Sequence, residues 1–364
     1  MDTKLLFRPF ESAKLTLRNR VVMAPMTRRF SPGGVPDEQV ARYYQRRAEG
    51  GVGLILTEGT TIGRPAASDN ASIPNFHTAA SLEGWARVVE AVHAAGGKIA
   101  PQIWHQGLVR RAGSGPHPDA YSEGPSGVNG TDHAMSDADI ADTIAAYAAA
   151  AADAQRLGFD AVEIHGAHGY LIDQFLWAGT NQRTDAYGGG TAQRTRFAVE
   201  VVRAIRQAVG AQFPIGFRFS QWKLQDYGAR LAEDAATLEQ ILAPLAAAGV
   251  DIFHASTRRY WEPEFAGSSL NLAGWARKVT GLPAISVGSV GLGGDDFMEQ
   301  LRGPSSGAPT EALDDLMRRM EADEFDLIAV GRALIGDPDW PAKVRDGRLQ
   351  ELRAFDKEAL QSLE

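Results

Sequence analysis

Eight short apolar runs, helical spacing between them, and polar residues gathered where the runs end together predict an α/β fold. The architecture they point to is a single (β/α)8 TIM barrel over residues 1–364 with extended loops on its C-terminal face. The runs are "RVVMAPMT" from Arg20, "VGLILTEG" from Val52, "KIAPQIWH" from Lys98, "AVEIHGA" from Ala161, "PIGFRFS" from Pro214, "DIFHAS" from Asp251, "AISVGS" from Ala284 and "DLIAVGR" from Asp326. Each is mainly apolar rather than alternating, as expected of parallel strands covered on both faces. A doubly wound open sheet is the competing architecture. No G-x-G-x-x-G follows the first run, so that fold's dinucleotide fingerprint is missing.

Taken in order, the first strand leads into Asp37 to Gly50, a helical unit that stops at "GG" directly before the second strand. After the third strand, Ser136 and Asp139 have capping-box spacing, Ile140, Ile144, Tyr147 and Ala151 share a face, and Gly158 marks a stop. The alanines in that helix reflect propensity and close packing. Gly113 to Gly130, and "GTNQRTDAYGGG" from Gly179, are loops rich in turn residues. Loop insertions are predicted at about 106–135, 179–191 and 257–270. Loops that follow strands lie on the C-terminal face, where barrels keep their chemistry.

Composition excludes several functions. The 37 basic and 45 acidic residues interleave, giving a net charge of −8 and no basic block for nucleic acid. There is no cysteine, so disulfides, iron–sulfur clusters and thiolate zinc sites are out, and redox chemistry would need a bound cofactor. "MDTKLLFRPF" lacks a signal-peptide core, and no uninterrupted apolar stretch approaches about 18 residues. A cytoplasmic enzyme with no membrane partner is the expectation.

Thr27, Glu58, Gln102, His105, His165, His168, Arg218, Ser256 and Arg332 all fall at or just past a strand's C-terminal end. Arg218, inside "IGFRFS", is the most informative, because a guanidinium in an apolar strand needs an anionic or carbonyl-rich partner. That partner is either a ligand or a carboxylate on a neighbouring strand. Strands seven and eight end in "SVGS" and "AVGRAL"; their glycines either permit tight turns or form a barrel phosphate site, with Arg332 adding a charge-assisted contact. "EIHGAHGYLIDQF", residues 163–175, allows three readings. A metal site would need further ligands that the motif does not offer, and a structural histidine is the plain alternative. In the third, His165 and His168 donate to an oxygen on which charge develops while Tyr170 supplies a proton.

Six stretches, in order along nearly the whole chain, resemble the Old Yellow Enzyme family of flavin-dependent ene-reductases. They are "LRNRVVMAPMTR" (17–28), "YYQRRAEGGVGLILTEGT" (43–60), "PQIWHQG" (101–107), "GFDAVEIHGAHGYLIDQFL" (158–176), "NQRTDAYGGGTAQRTRF" (181–197) and "DLIAVGRALIGDPDWP" (326–341). The resemblance implies a single barrel holding non-covalent FMN at its mouth, with NAD(P)H as co-substrate. It makes Gln102 the reader of the flavin's pyrimidine edge, Arg218 the cation at N1 and the C2 carbonyl, and Thr27 the donor to the C4 carbonyl. Pro25, Met26 and Gly59 would line the ring, and Gly288, Ser289, Gly331 and Arg332 the phosphate.

The same resemblance makes His165 and His168 the pair that holds a substrate's carbonyl or nitro oxygen, and Tyr170 the proton donor. The implied cycle is ping-pong: hydride from NAD(P)H to flavin N5, then to the β-carbon of an α,β-unsaturated carbonyl, maleimide or nitroalkene, with Tyr170 protonating the α-carbon. One departure bears on the pocket. The tail "DWPAKVRDGRLQELRAFDKEALQSLE" is polar and reads as helical where many relatives have an aromatic-rich one. "STRRYWEPEFAG" then offers Tyr260 and Trp261, with Trp104, as pocket aromatics; packing elsewhere is the alternative. Larger relatives append iron–sulfur and pyridine-nucleotide domains, which the missing cysteines and chain length argue against. A metal-dependent barrel hydrolase and a flavin-binding protein without turnover are the competing functions.

Overall fold

A computed structural model describes residues 3–127, 132–292 and 310–364. Eight parallel strands close into a barrel in chain order: β1 (Val21–Met23), β2 (Leu54–Thr61), β3 (Lys98–Trp104), β4 (Val162–His165), β5 (Ile215–Phe219), β6 (Ile252–Ser256), β7 (Ala284–Val287) and β8 (Leu327–Val330). β8 returns to β1 through Ile328↔Val21, so the sheet has no open edge and the open-sheet alternative is excluded. Every apolar run of the sequence supplies one strand.

The helices after the strands are α1 (Glu38–Glu49), α2 (Ala79–Ala94), α3 (Asp137–Arg156), α4 (Thr191–Val209), α5 (Ala235–Ala248), α6 (Leu272–Thr280), α7 (Thr310–Glu321) and α8 (Arg332–Gly336). Their starts are fixed by local chemistry. Asp37 caps α1 by accepting from Gln39 N and Val40 N, and the Ser136/Asp139 capping box forms at α3. Gly158, two residues past α3, adopts φ 87°, which costs glycine little. The face chosen for α3 is the packed one, with Ile140, Tyr147 and Ala151 buried and Ile144 partly so.

Inside the barrel the layers differ in polarity. Leu54, Leu56, Ala100, Ile252, Ile285 and Leu327 form an apolar floor with Phe10, Leu15 and Leu17, which belong to or border an N-terminal hairpin of Phe10–Glu11 and Thr16–Leu17. Two residues further along β3, β4 and β6 stand Gln102, Glu163 and His254, all buried. Alternation then places His165, Arg218 and Ser256 at the mouth. The β2–β3 register shifts between Leu56 and Gly59, and Thr57 Oγ1 accepts from Gln102 N at 3.1 Å across the irregularity.

The predicted loops lie between these elements; of the 106–135 insertion, 128–131 fall outside the described residues. The helical tail is corrected. Beyond the short helix Trp340–Arg345 the chain makes two 3₁₀ turns, Leu349–Glu351 and Lys357–Gln361. The buried Asp337 carboxylate folds it back by accepting from Lys343 Nζ at 2.7 Å and Arg353 N at 3.0 Å. Arg28 Nη2 then donates to Ala359 O at 2.9 Å and to Ser362 O at 2.5 Å. No helix among the described residues is long and apolar enough to cross a membrane.

Candidate active site

The polar layer is a hydrogen-bonded unit. Glu163 accepts from Gln102 Nε2 at 2.8 Å through Oε1 and pairs with His254 Nδ1 at 2.7 Å through Oε2. Since its amide nitrogen is taken by the carboxylate, Gln102 has its carbonyl oxygen left over as an acceptor. Arg218 stands above, 7% exposed, and donates from Nη2 to Ser256 Oγ at 3.2 Å. Its partner is therefore not a carboxylate in direct contact. Its Nε is buried with no hydrogen-bond partner among the described residues, and burial lowers its pKa against the pull of Glu163.

The "HGAHGY" turn sits above β4. His165 Nδ1 accepts from Ala167 N at 3.3 Å, so the neutral ring carries its proton on Nε2. His168 adopts φ 66°, a left-handed conformation uncommon for a side-chain-bearing residue. That conformation is held from β5 and its loop: Ser220 Oγ accepts from His168 N at 2.9 Å, His168 O accepts from Leu224 N at 3.1 Å, and the ring stacks on Trp222 at 4.4 Å. Gly169 N donates to Asp173 Oδ2 at 2.6 Å, and Asp173 forms a fully buried pair with Lys223 at 2.8 Å.

The rings converge. His165 and His168 are 5.1 Å apart edge to face, Tyr170 lies 4.9 Å from His165, and Trp104 packs edge to face with Tyr170 at 4.8 Å. Burial, then Arg218, pushes both imidazole pKa values well below the ordinary one, so both rings are neutral. Burial pushes the Tyr170 phenol up to about 12. No group of three or more His, Asp or Glu able to hold a metal ion occurs among the described residues.

Two clefts share Pro25, His168 and Arg218. One is lined by Thr27, Gly59, Gln102, Trp104, His165 and Tyr170. The other runs past Met26 to Gly288, Ser289, Gly331 and Arg332. All the residues singled out for cofactor, oxygen and proton are thus brought to one mouth. At Gly288 an added Cβ would meet Tyr260 N at 2.8 Å and Arg259 N at 2.9 Å, so the strand end lies tight against the next loop. A mouth with a buried unpartnered guanidinium nitrogen, an acceptor amide, and a glycine-edged end carrying Arg332 fits a flat heteroaromatic ring with a phosphate tail.

Some expectations are corrected. Trp104 lines the cleft, but Tyr260 and Trp261 line neither one: Tyr260 is 1% exposed in the core, and Trp261 packs against its ring at 5.1 Å. The aromatics at the wider cleft are Trp222 and Tyr227 from the loop after β5. His105 is drawn away, its Nε2 on Glu123 at 2.9 Å and its Nδ1 accepting from Gly107 N. Glu58 stands behind the mouth, where Oε2 accepts from Arg28 N at 2.9 Å and Arg29 N at 3.1 Å. Burial raises its pKa to about 7 despite those donors. Glu163, His254 and Trp222 were not assigned from sequence, and Ser256 was placed at a strand end without a role; Glu163 and His254 carried the same signal as Arg218, a polar residue at an inward position of an apolar strand.

Comparison with known proteins agrees with this geometry. The family described as NADH:flavin oxidoreductase / NADH oxidase matches residues 5–304. The "NADH oxidase" of Thermoanaerobacter brockii is 35% identical over 360 residues, covering 96% of this chain and 52% of that protein, so the chain spans about half the length of that relative. The structure of morphinone reductase in complex with tetrahydroNAD superposes with a TM-score of 0.81 at 31% identity, covering 98% of this chain and 93% of the other. Old Yellow Enzyme from Pichia sp. AKU4542 does so with a TM-score of 0.81 at 27% identity, covering 98% and 90%. The shared barrel, the converging mouth residues and the match over most of its length establish that this chain belongs to the NADH:flavin oxidoreductase / NADH oxidase family, that of Old Yellow Enzyme.

Proposed function

We propose that this protein is an FMN-dependent ene-reductase that uses NAD(P)H to reduce α,β-unsaturated carbonyls, maleimides or nitroalkenes. The family's cofactor is a flavin. The observation that carries the reading is the convergence of two neutral imidazoles and one phenol beside a buried guanidinium at a single mouth. Bound FMN would supply the hydride chemistry, taking two electrons from the dinucleotide and passing them to the alkene. Pro25, Met26, Thr27, Gly59, Gln102 and Arg218 would hold its ring, and Gly288, Ser289, Gly331 and Arg332 its phosphate.

The chain's residues do the rest. The His165 and His168 N–H groups grip the carbonyl or nitro oxygen and oppose the negative charge that grows there, an effect of about 3 kcal/mol per donor in comparable sites. Neutral imidazoles suit this task, since they donate without giving their proton away. Tyr170 holds its proton firmly at a pKa of about 12, so it protonates a strongly basic carbon rather than water. With FMN bound, Arg218 would set fixed positive charge against the ring's pyrimidine edge, and Gln102 would offer its acceptor there.

The test is a visible spectrum followed by a reaction. The purified protein should be yellow, bleach under anaerobic NADPH, and regain colour rapidly on mixing with cyclohexenone or N-ethylmaleimide. A colourless protein active only with added zinc would identify a metal hydrolase. A flavin that reduces but is not reoxidised by any activated alkene would identify a binding protein without this turnover.

A further inference from the structure

Ser256 closes β6 between the two groups that matter most to the proposed chemistry. Its Oγ lies 3.2 Å from Arg218 Nη2 and 2.8 Å from His168 Nε2. A guanidinium can only donate, so the serine oxygen accepts from Arg218. The contact with His168 holds one hydrogen, which belongs to serine or to imidazole. Were it on Nε2, Ser256 Oγ would accept twice and its own hydrogen would need another acceptor. Ser256 is 3% exposed, and its Oγ has no third partner among the described residues. That hydrogen would then find no acceptor within the described protein and would depend on one in the cleft that Ser256 also lines, which is the less favourable arrangement. A doubly protonated ring is opposed by burial and by the charge of Arg218. The arrangement that satisfies every group has serine donating to Nε2.

We infer that Ser256 is a positioning residue that holds His168 as its Nδ1–H tautomer, so that the ring offers a donor, not a lone pair, to an oxygen bound in the cleft. Nδ1 has no partner among the described residues, and the ring lines the cleft. The two imidazoles therefore become donors by opposite routes. His165 keeps its proton on Nε2 because Ala167 N–H occupies Nδ1. His168 keeps it on Nδ1 because Ser256 O–H occupies Nε2. Arg218 strengthens the second route, since a hydroxyl that accepts from a cation donates more strongly. Trp222 holds it in register: the indole stacks on the imidazole face, and its Nε1 donates to Ser256 O at 3.1 Å.

The inference rests on the anchoring role of His168 given above, and its test separates the two. Two-bond proton–nitrogen NMR correlation on the FMN-loaded enzyme, labelled with ¹⁵N in its 8 histidines, reads the tautomers directly; the His168 signal is identified by its loss in His168→Asn. The expected result is Nδ1–H for His168 and Nε2–H for His165. Ser256→Ala should release His168 to the other tautomer and weaken binding of p-chlorophenol to the oxidised flavoenzyme by about tenfold. Ser256→Thr, which keeps the hydroxyl, should restore both. A His168 ring protonated on Nε2 in the wild-type enzyme overturns the inference, and that spectrum decides even if Ser256→Ala does not fold. An unchanged tautomer in a folded Ser256→Ala variant overturns it too. An Nδ1–H ring lost in Ser256→Ala with unaltered phenol affinity and enone turnover supports the tautomer assignment and counts instead against His168 as the substrate's anchor.

Discussion

Tyr170 carries a requirement that its neighbours do not. Its ring is fixed edge-on to Trp104 and His165, and burial makes its proton hard to release. Tyr170→Phe is expected to keep FMN and to oxidise NADPH at near the wild-type rate. It should slow reoxidation by cyclohexenone by at least about 100-fold, as judged by stopped-flow absorbance; equal reoxidation rates would place the proton donor elsewhere. The proposed role of the histidines is on the oxygen instead. With both His165 and His168 replaced by Ala, the long-wavelength band that phenols raise with oxidised flavin should vanish, and a persisting band would mean that the anion binds at another site. The identities of these three residues were legible in "HGAHGY". Their protonation was not, because tautomer and pKa follow from Ala167 N–H, Ser256 and Arg218, two of which belong to other strands.

At the scale of elements, the site depends on the loop after β5 as much as on the turn after β4. Lys223 and Asp173, 50 residues apart, form an ion pair at 2.8 Å that water does not reach, and the pair fastens Gly169 through its N–H. Lys223→Met leaves Asp173 ionisable and buried without its cation. The expected cost is about 3–5 kcal/mol, read as a lower urea midpoint of the FMN-loaded protein. An unchanged midpoint would show that the pair is not needed to hold the turn. Gly288 sets a second constraint at the opposite end of the cleft. Gly288→Ala drives a Cβ into the backbone of Arg259 and Tyr260 and should raise the dissociation constant for FMN at least tenfold, measured by flavin fluorescence on release. The glycine was legible as a turn residue. That it touches the β6 loop, and that this same contact buries Tyr260 away from the mouth, follows from how two loops fill one space.

For the molecule as a whole, Glu58 links the mouth to the chain's end. It fastens Arg28 and Arg29 by their backbone, and Arg28 reaches Ala359 and Ser362 in the tail. Its folded pKa of about 7 lies above an unfolded value near 4.3, so between those values the folded state holds a proton that the unfolded state has lost. Stability should therefore fall as pH rises from about 4.5 to about 7 and level off above, by roughly 3 kcal/mol from this group. Glu58→Gln, whose carbonyl can still accept both N–H groups, should flatten that part of the profile in urea titrations at pH 5 and pH 8. An equal pH dependence in both proteins would mean that Glu58 is ionised throughout. The eight strands, α1, α3 and the mouth residues of each strand could be named from residue order, because strand burial and helix capping are local and leave periodic signatures. Pairings across the barrel, such as Glu163 with His254, Ser256 with His168 and Lys223 with Asp173, belong to the closed barrel, as do the fold-back of the tail and the exclusion of Tyr260 from the cleft. These are contacts between segments far apart in the chain, and such contacts exist only once closure has chosen which strand ends share a layer.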